Sequence, residues 1–224
     1  MNENCFLYNT CNHKDCGKFC VRKYKMDMLY SNSLLTEAQK VHITLKVDED
    51  GTDLEEFRQL AEIEKDIVNF VQSGKNLYLY SSNCGNGKTS WSIRLIEAYF
   101  KKIWPMAGNS CKALFISVPR LLIALKDNIS VKNDYVTFIK ENINTADLVV
   151  WDDIATKTST NFEIDNILPY ITGRMYAGKA NIYTSNLSPD GLYEALGKQI
   201  ASRVANESKI INLKGADKRF LKVQ

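Results

Sequence analysis

An α/β fold with a parallel sheet and helices on both faces is what this sequence predicts, and three observations carry it. From residue 54 onward, short apolar runs alternate with stretches of helical periodicity, the pattern of strand–helix–strand crossover units. One of these runs, Leu77-Tyr78-Leu79-Tyr80, breaks into a turn holding Gly85 and Gly87, and a helical pattern opens at Lys88. A later run, Leu148-Val149-Val150-Trp151, ends in the carboxylates Asp152 and Asp153. Strand, glycine turn and helix in that order make a phosphate-binding loop, and an acidic strand end is the partner such a loop needs for a bound cation.

Length and composition bound the rest. The 224 residues suit one globular domain with a small appendage, and a hydrophobic share of 45% is ample for a core. A net charge of +3 and a pI near 8.4 neither demand nor exclude a nucleic-acid partner, so any basic surface is local. No apolar run approaches the length of a membrane span. The polar N-terminus, with Glu3, has no signal-peptide core. A cytoplasmic location without a membrane partner is expected, and there the six cysteines are reduced or metal-bound rather than paired.

Four cysteines, Cys5, Cys11, Cys16 and Cys20, fall within the first twenty residues, with His13 among polar neighbours. Four thiolates satisfy a closed tetrahedral Zn²⁺ site, which would hold together a segment too small to fold alone. The spacing is irregular and lacks a C-x-x-C knuckle; His13 could replace one thiol, and free thiols or an iron–sulfur cluster are the alternatives. Four protein ligands leave no open position for a catalytic metal.

A helix with Arg22, Lys23 and Lys25 and then a linker follow, placing a zinc-binding module with its linker at 1–45 and a nucleotide-binding domain at 46–224. Asp53 reads as the cap of a helix over 54–73, with Leu60, Ile63, Ile67, Phe70 and Val71 on one face and Gly74 at its end. The phosphate loop comes next. Its glycines let backbone N–H groups converge on phosphate oxygens, and the helix N-terminus adds partial positive charge. The loop residues Asn83, Cys84, Gly85, Asn86, Gly87, Lys88, Thr89 and Ser90 would bind ATP, with Lys88 reaching the β- and γ-phosphates and the Thr89 hydroxyl on Mg²⁺. Ser82 departs from G-x-x-x-x-G-K-[ST] at the first glycine.

The helix after the loop carries Trp91, Ile93, Leu95, Ile96 and Tyr99 and stops near Pro105. A strand over 113–118, a helix begun at Pro119 and a helix over 132–143 precede the acidic strand. There Asp152 would enter the Mg²⁺ shell and Asp153 would polarise the attacking water. A helix over 161–178 leads to a strand over 181–186 ending in Asn186, placed to orient water opposite the γ-phosphate, or else to cap the next helix. A short helix over 191–196, Arg203, a last strand over 209–213 and a tail with Gly215-Ala216-Asp217-Lys218-Arg219 follow. A lone arginine on a helix is usually solvated; Arg203 becomes catalytic if it completes a neighbouring subunit's site.

This order of motifs resembles the AAA+ ATPases of the DnaC/DnaI type, the replicative-helicase loaders of bacteria and phages, over residues 54–219. Residues 82–89 correspond to Walker A, Asp152 and Asp153 to Walker B, Asn186 to sensor 1 and Arg203 to the arginine finger. The N-terminal cysteines are similar to the zinc module of DnaI-type loaders. The resemblance implies a five-stranded parallel AAA+ core without a C-terminal lid, self-association through Arg203, a zinc module that grips a hexameric replicative helicase, and single-stranded DNA on the assembled ATPase face. Arg94, Lys101 and Lys102 are DNA-contact candidates, with a solvated helix face as their plain reading. Asp153, where most AAA+ proteins carry Glu, and Ser82 point to slow, switch-like hydrolysis stimulated by DNA or a partner. The rival readings are an IstB-type transposition helper, a nucleotide-gated module that binds the helicase or its loader with little hydrolysis, and a small-molecule P-loop kinase, for which the tail leaves too little room.

Overall fold

In the computed structural model the described residues are 5, 7, 11, 19–40, 45, 47, 51–128, 131–155 and 161–218. Strands β1 (Asn76–Tyr80), β2 (Ala113–Ser117), β3 (Leu148–Asp152), β4 (Ala180–Ser185) and β5 (Ser208–Asn212) form one parallel sheet in the order β2-β3-β4-β1-β5. Successive side chains of a strand point to opposite faces, and both faces are covered. Leu77, Leu79, Phe115, Val150 and Ile182 join one apolar cluster, while Tyr78, Ile116, Val149, Trp151 and Tyr183 join the other. This is why the strands read as continuous apolar runs.

Helices α1 (Val21–Ser31), α2 (Leu54–Lys65), α3 (Ile67–Gln72) and α4 (Lys88–Ile103) supply the first cluster. Helices α5 (Val118–Asp127), α6 (Asp134–Asn142), α7 (Asn161–Tyr176) and α8 (Pro189–Ala201) supply the second. The helix expected over 54–73 is two helices, because Asp66 leaves helical geometry (φ −109°, ψ 28°) and its carboxylate accepts from Asn69 Nδ2 at 2.9 Å. Asp53 stands at the start of α2, as expected, but its side chain caps nothing there. It has turned instead to the N–H groups of Lys214 and Gly215, each at 2.7 Å.

Two glycines end helices and start strands side by side. After α3 the N–H of Lys75 bonds Phe70 O and that of Gly74 bonds Val71 O; after α7, Lys179 bonds Arg174 O and Gly178 bonds Met175 O. Both are Schellman closures with the glycine left-handed. Because β1 and β4 are neighbours, the two turns pack together, and a Cβ on Gly74 would lie 2.3 Å from Gly178 O.

Beneath the sheet's N-terminal end Arg174 is fully buried. It donates to the carbonyls of Ile143, Ala146 (2.8 Å) and Ala180 (2.7 Å) and to Asn181 Oδ1 (2.8 Å). Burial pushes its pKa down to about 10.

The first helix, expected with the N-terminal module, packs in the main core. Met26, Leu29 and Tyr30 are buried there, and Tyr30 meets Phe100 of α4 edge-on at 5.3 Å. The turn after α1 accepts the Phe115 N–H on Ser33 O (2.8 Å), covering the outer edge of β2, a strand edge that would otherwise offer itself for pairing. The short helix expected over 191–196 extends to Ala201, broken at Gly197 (φ 77°, ψ 166°), and continues as a π-helical turn, Ser202–Asn206, that carries Arg203. Among the described residues no helix is long and apolar enough to cross a membrane.

Candidate nucleotide site

The phosphate loop leaves the C-terminal end of β1, where the sheet order places β4 on one side and β5 on the other. Ser82 has an ordinary backbone conformation, so the first position of this loop needs no glycine; Gly85 (φ 71°) and Gly87 (φ 107°) are left-handed and do. The loop is held from beneath by Ser81, fully buried, whose hydroxyl accepts from Asn83 N–H (3.0 Å) and from the Asn86 side-chain amide. Asn86 is itself buried and spans to Leu213 O at 3.0 Å. Lys88 opens α4 and folds back over the loop, its ammonium 3.0 Å from Asn83 O and 3.4 Å from Asn86 Oδ1.

A cavity of about 170 Å³ is lined by Cys84, Gly85, Asn86, Gly87, Lys88, Thr89, Ser90, Asp153 and Asn186. The predicted loop residues other than Asn83, together with one of the two carboxylates and the strand-end asparagine, thus converge on one place. Asp152 stands just behind, its Oδ1 accepting from the Thr89 hydroxyl at 2.9 Å and from the Thr184 hydroxyl at 2.8 Å. Burial, reinforced by the neighbouring Asp153 charge, raises the Asp152 pKa above the ordinary carboxylate range; the Thr184 and Thr89 hydroxyls and Lys88 act against the shift. A buried carboxylate and a hydroxyl already in contact, beside an ammonium and a glycine loop, are a donor set that fits Mg²⁺ and a polyphosphate.

Asp153 follows the strand in a left-handed conformation (φ 55°), which Asp tolerates better than most residues, and its N–H is fixed on Thr184 Oγ1 at 3.0 Å. Thr184 therefore holds both acidic residues, a role the sequence reading missed. The available signal was its place one residue from the end of a strand neighbouring the acidic one.

Other expectations fall elsewhere. Arg203 does not line this cavity; its guanidinium donates to Thr172 Oγ1 and lies 6.0 Å from the Tyr176 ring centroid, both on α7 of the same chain. Arg94 pairs with Glu64 at 2.8 Å, Lys101 pairs with Glu97 at 2.6 Å, and Lys102 donates to Lys65 O. These three are committed to the seam between α2 and α4, as an ordinary charged helix face would be. Cys5 and Cys11 pack partly buried against the core, and the Cys20 sulfur accepts the Lys23 N–H at 3.4 Å at the start of α1. Among the described residues no three His, Cys, Asp or Glu side chains converge as a metal site. Cys16 and His13 lie outside the described residues.

No family model and no curated protein matches this chain. Solved structures do. The DnaC helicase loader superposes with a TM-score of 0.61 at 19% identity, over 77% of this chain and 94% of that one. DnaI gives 0.56 at 23% identity, over 78% and 88%. DnaA from Aquifex aeolicus, solved with AMPPCP bound, gives 0.59 at 14% identity, over 81% of this chain and 52% of its own. The chain has a AAA+ fold. The five-stranded core expected from the motif order is the one observed, and in this AAA+ fold the phosphate loop, the acidic strand end and Asn186 meet at the C-terminal edge of the sheet.

Proposed function

We propose that this chain is an ATP-dependent loader that places a hexameric replicative DNA helicase on single-stranded DNA during replication initiation. The observation that carries the reading is the site itself, in which Lys88, Thr89, Asp152, Asp153 and Asn186 gather around one glycine loop, on a fold that spans nearly the whole of the DnaC helicase loader. Thr89 and Asp152 would hold Mg²⁺, which when bound would neutralise phosphate charge. Lys88 exchanges its two loop acceptors for phosphate oxygens. Asp153 accepts a proton from water that Asn186 helps to orient. Arg203 leaves Thr172 and Tyr176 and reaches the site of an adjacent copy, so that self-association completes catalysis. The zinc reading rests on Cys5, Cys11, Cys16 and Cys20 together, and metal analysis of the purified chain should return one zinc per protein.

The left-handed Asp153, one methylene shorter than Glu, favours slow hydrolysis and supports a second reading, a nucleotide-gated module that binds its helicase partner with little turnover. ATP turnover by the purified protein, alone, with single-stranded DNA and with a replicative helicase, separates the two. Stimulated turnover that disappears in Lys88→Ala and Arg203→Ala is the expected result for the loader. Turnover that survives in Arg203→Ala refutes the shared site, and ATP binding without turnover under any condition selects the gated module.

A further inference from the structure

The segment after β5 doubles back across the phosphate loop and is held from two sides. Asp53, 5% exposed, accepts the backbone N–H groups of Lys214 and Gly215, each at 2.7 Å. A shielded carboxylate taking two N–H bonds is a strong anchor, since charge-assisted bonds are about twice as strong as neutral ones. From the loop, Asn83 Nδ2 donates to the carbonyls of Lys214 (3.0 Å) and Gly215 (3.3 Å), and Asn86 Nδ2 donates to that of Leu213 (3.0 Å). Farther on, the Lys218 N–H donates to Gly85 O at 3.0 Å, and the Lys218 ammonium lies 4.9 Å from the Phe57 ring centroid. Asp217 fills the space where Gly85 would carry a Cβ, its Oδ1 only 1.8 Å from that point. Glycine at 85 thus serves a close approach as well as a turn.

The Lys218 bond has a directional consequence. In a planar trans peptide the C=O and the following N–H point opposite ways, and no cis bond occurs among the described residues. Fixing the Gly85 carbonyl on this segment turns the Asn86 N–H away from the segment, and none of residues 213–218 is among those that line the cavity with Gly85 and Asn86. Resting on the nucleotide-site reading, we propose that residues 213–218 are a strap that orients the phosphate cradle, with Asp53 as its anchor and the Lys218 N–H as its contact. Asp53 is then a positioning residue for phosphate binding. Linkage makes the relation reciprocal: a seated strap raises affinity for the phosphates, and bound phosphates hold the strap by the same factor.

Three variants of the full chain separate the parts. Asp53→Asn leaves one acceptor oxygen for two N–H groups, Lys218→Pro deletes the contacting N–H, and Lys218→Ala removes the ammonium but keeps the N–H. ATP affinity is measured by calorimetry well below the melting temperature, and hydrogen exchange at 213–218 is followed on the unmodified chain with and without ATP. Asp53→Asn and Lys218→Pro should each weaken ATP on the order of tenfold, as expected for losing one charged or directing hydrogen bond, with Lys218→Ala within about twofold. ATP should slow exchange at Lys214, Gly215 and Lys218. Strap exchange indifferent to ATP overturns the proposal whatever the variants do, because a merely structural segment answers in that way. ATP affinity unchanged in both Asp53→Asn and Lys218→Pro overturns it as well. An unmodified chain that binds no ATP overturns the nucleotide-site reading, and the strap falls with it.

Discussion

Replacing Thr184 by valine tests how the acidic end of β3 is held. Thr184 is fully buried, donates to Asp152 Oδ1 at 2.8 Å and accepts the Asp153 N–H at 3.0 Å. Valine keeps the shape and removes both bonds, leaving the half-buried Asp153 N–H without this partner and a buried carboxylate with Thr89 as its remaining hydroxyl donor. Each loss costs about 1–3 kcal/mol, since a stranded buried group forfeits its hydration as well as its bond. A total of about 3 kcal/mol would lower the melting temperature by about 6–12 °C in a chain of this size. Thr184→Ser is the control: it keeps the hydroxyl, loses one methyl and should cost about 1 kcal/mol. Urea unfolding of the two variants and the unmodified protein, compared at equal slope, reads the difference. Equal midpoints for Thr184→Val and Thr184→Ser would refute the reasoning, because the hydroxyl would then be contributing nothing.

Three further outcomes follow from the same contacts. Arg174→Met strips a buried guanidinium from three carbonyls and Asn181 and should cost about 3 kcal/mol or more in urea unfolding, since each buried acceptor left unpaired costs about 1–3 kcal/mol. Gly74→Ala meets Gly178 O at 2.3 Å as well as an unfavourable φ, whereas an alanine at Gly178 faces only the φ; melting curves should show roughly 1–2 kcal/mol for Gly178→Ala and more for Gly74→Ala. The raised pKa of Asp152 means that the folded protein holds its proton more tightly than the unfolded chain does. Its ionisation therefore costs stability above the folded-state pKa, and that cost is relieved as pH falls through it. Asp152→Asn should accordingly stabilise the metal-free, nucleotide-free protein near neutral pH, with the advantage shrinking toward acid in a series of melts.

The convergence of Lys88, Thr89 and Asp153 on one glycine loop was legible because its signals are local. Lys88 and Thr89 sit beside the glycines that need them, and Asp152 ends an unmistakable apolar run. What the sequence hid depends on partners far along the chain. Asp53 has the composition of a helix cap, yet the N–H groups of residues 214 and 215 outcompete the local ones. Arg94 read as part of a basic face because nothing in its own helix announces Glu64 across the seam, whereas Glu97, four residues before Lys101, was the available signal for that pair. The break at Asp66 is a single departure inside a continuous apolar stripe, which periodicity averages over. The same distance effect hid where α1 packs, since its apolar residues are too few to show that they belong to the core.

That placement of α1 has a mechanical side. The helix lies along the far half of α4: Tyr30 rests on Phe100, Lys25 donates to Pro105 O at 2.7 Å, and the Arg22 guanidinium sits 5.9 Å from the Trp104 ring centroid. Helix α4 has 16 residues, a rod about 24 Å long at the usual rise, and its near end is Lys88. A tug on the segment before residue 21 is therefore delivered to one tip of the rod whose other tip carries Lys88 at the glycine loop. Cutting the chain near residue 45 to isolate a nucleotide domain would discard that lever, bare the flank of β2 and leave Phe100 facing water.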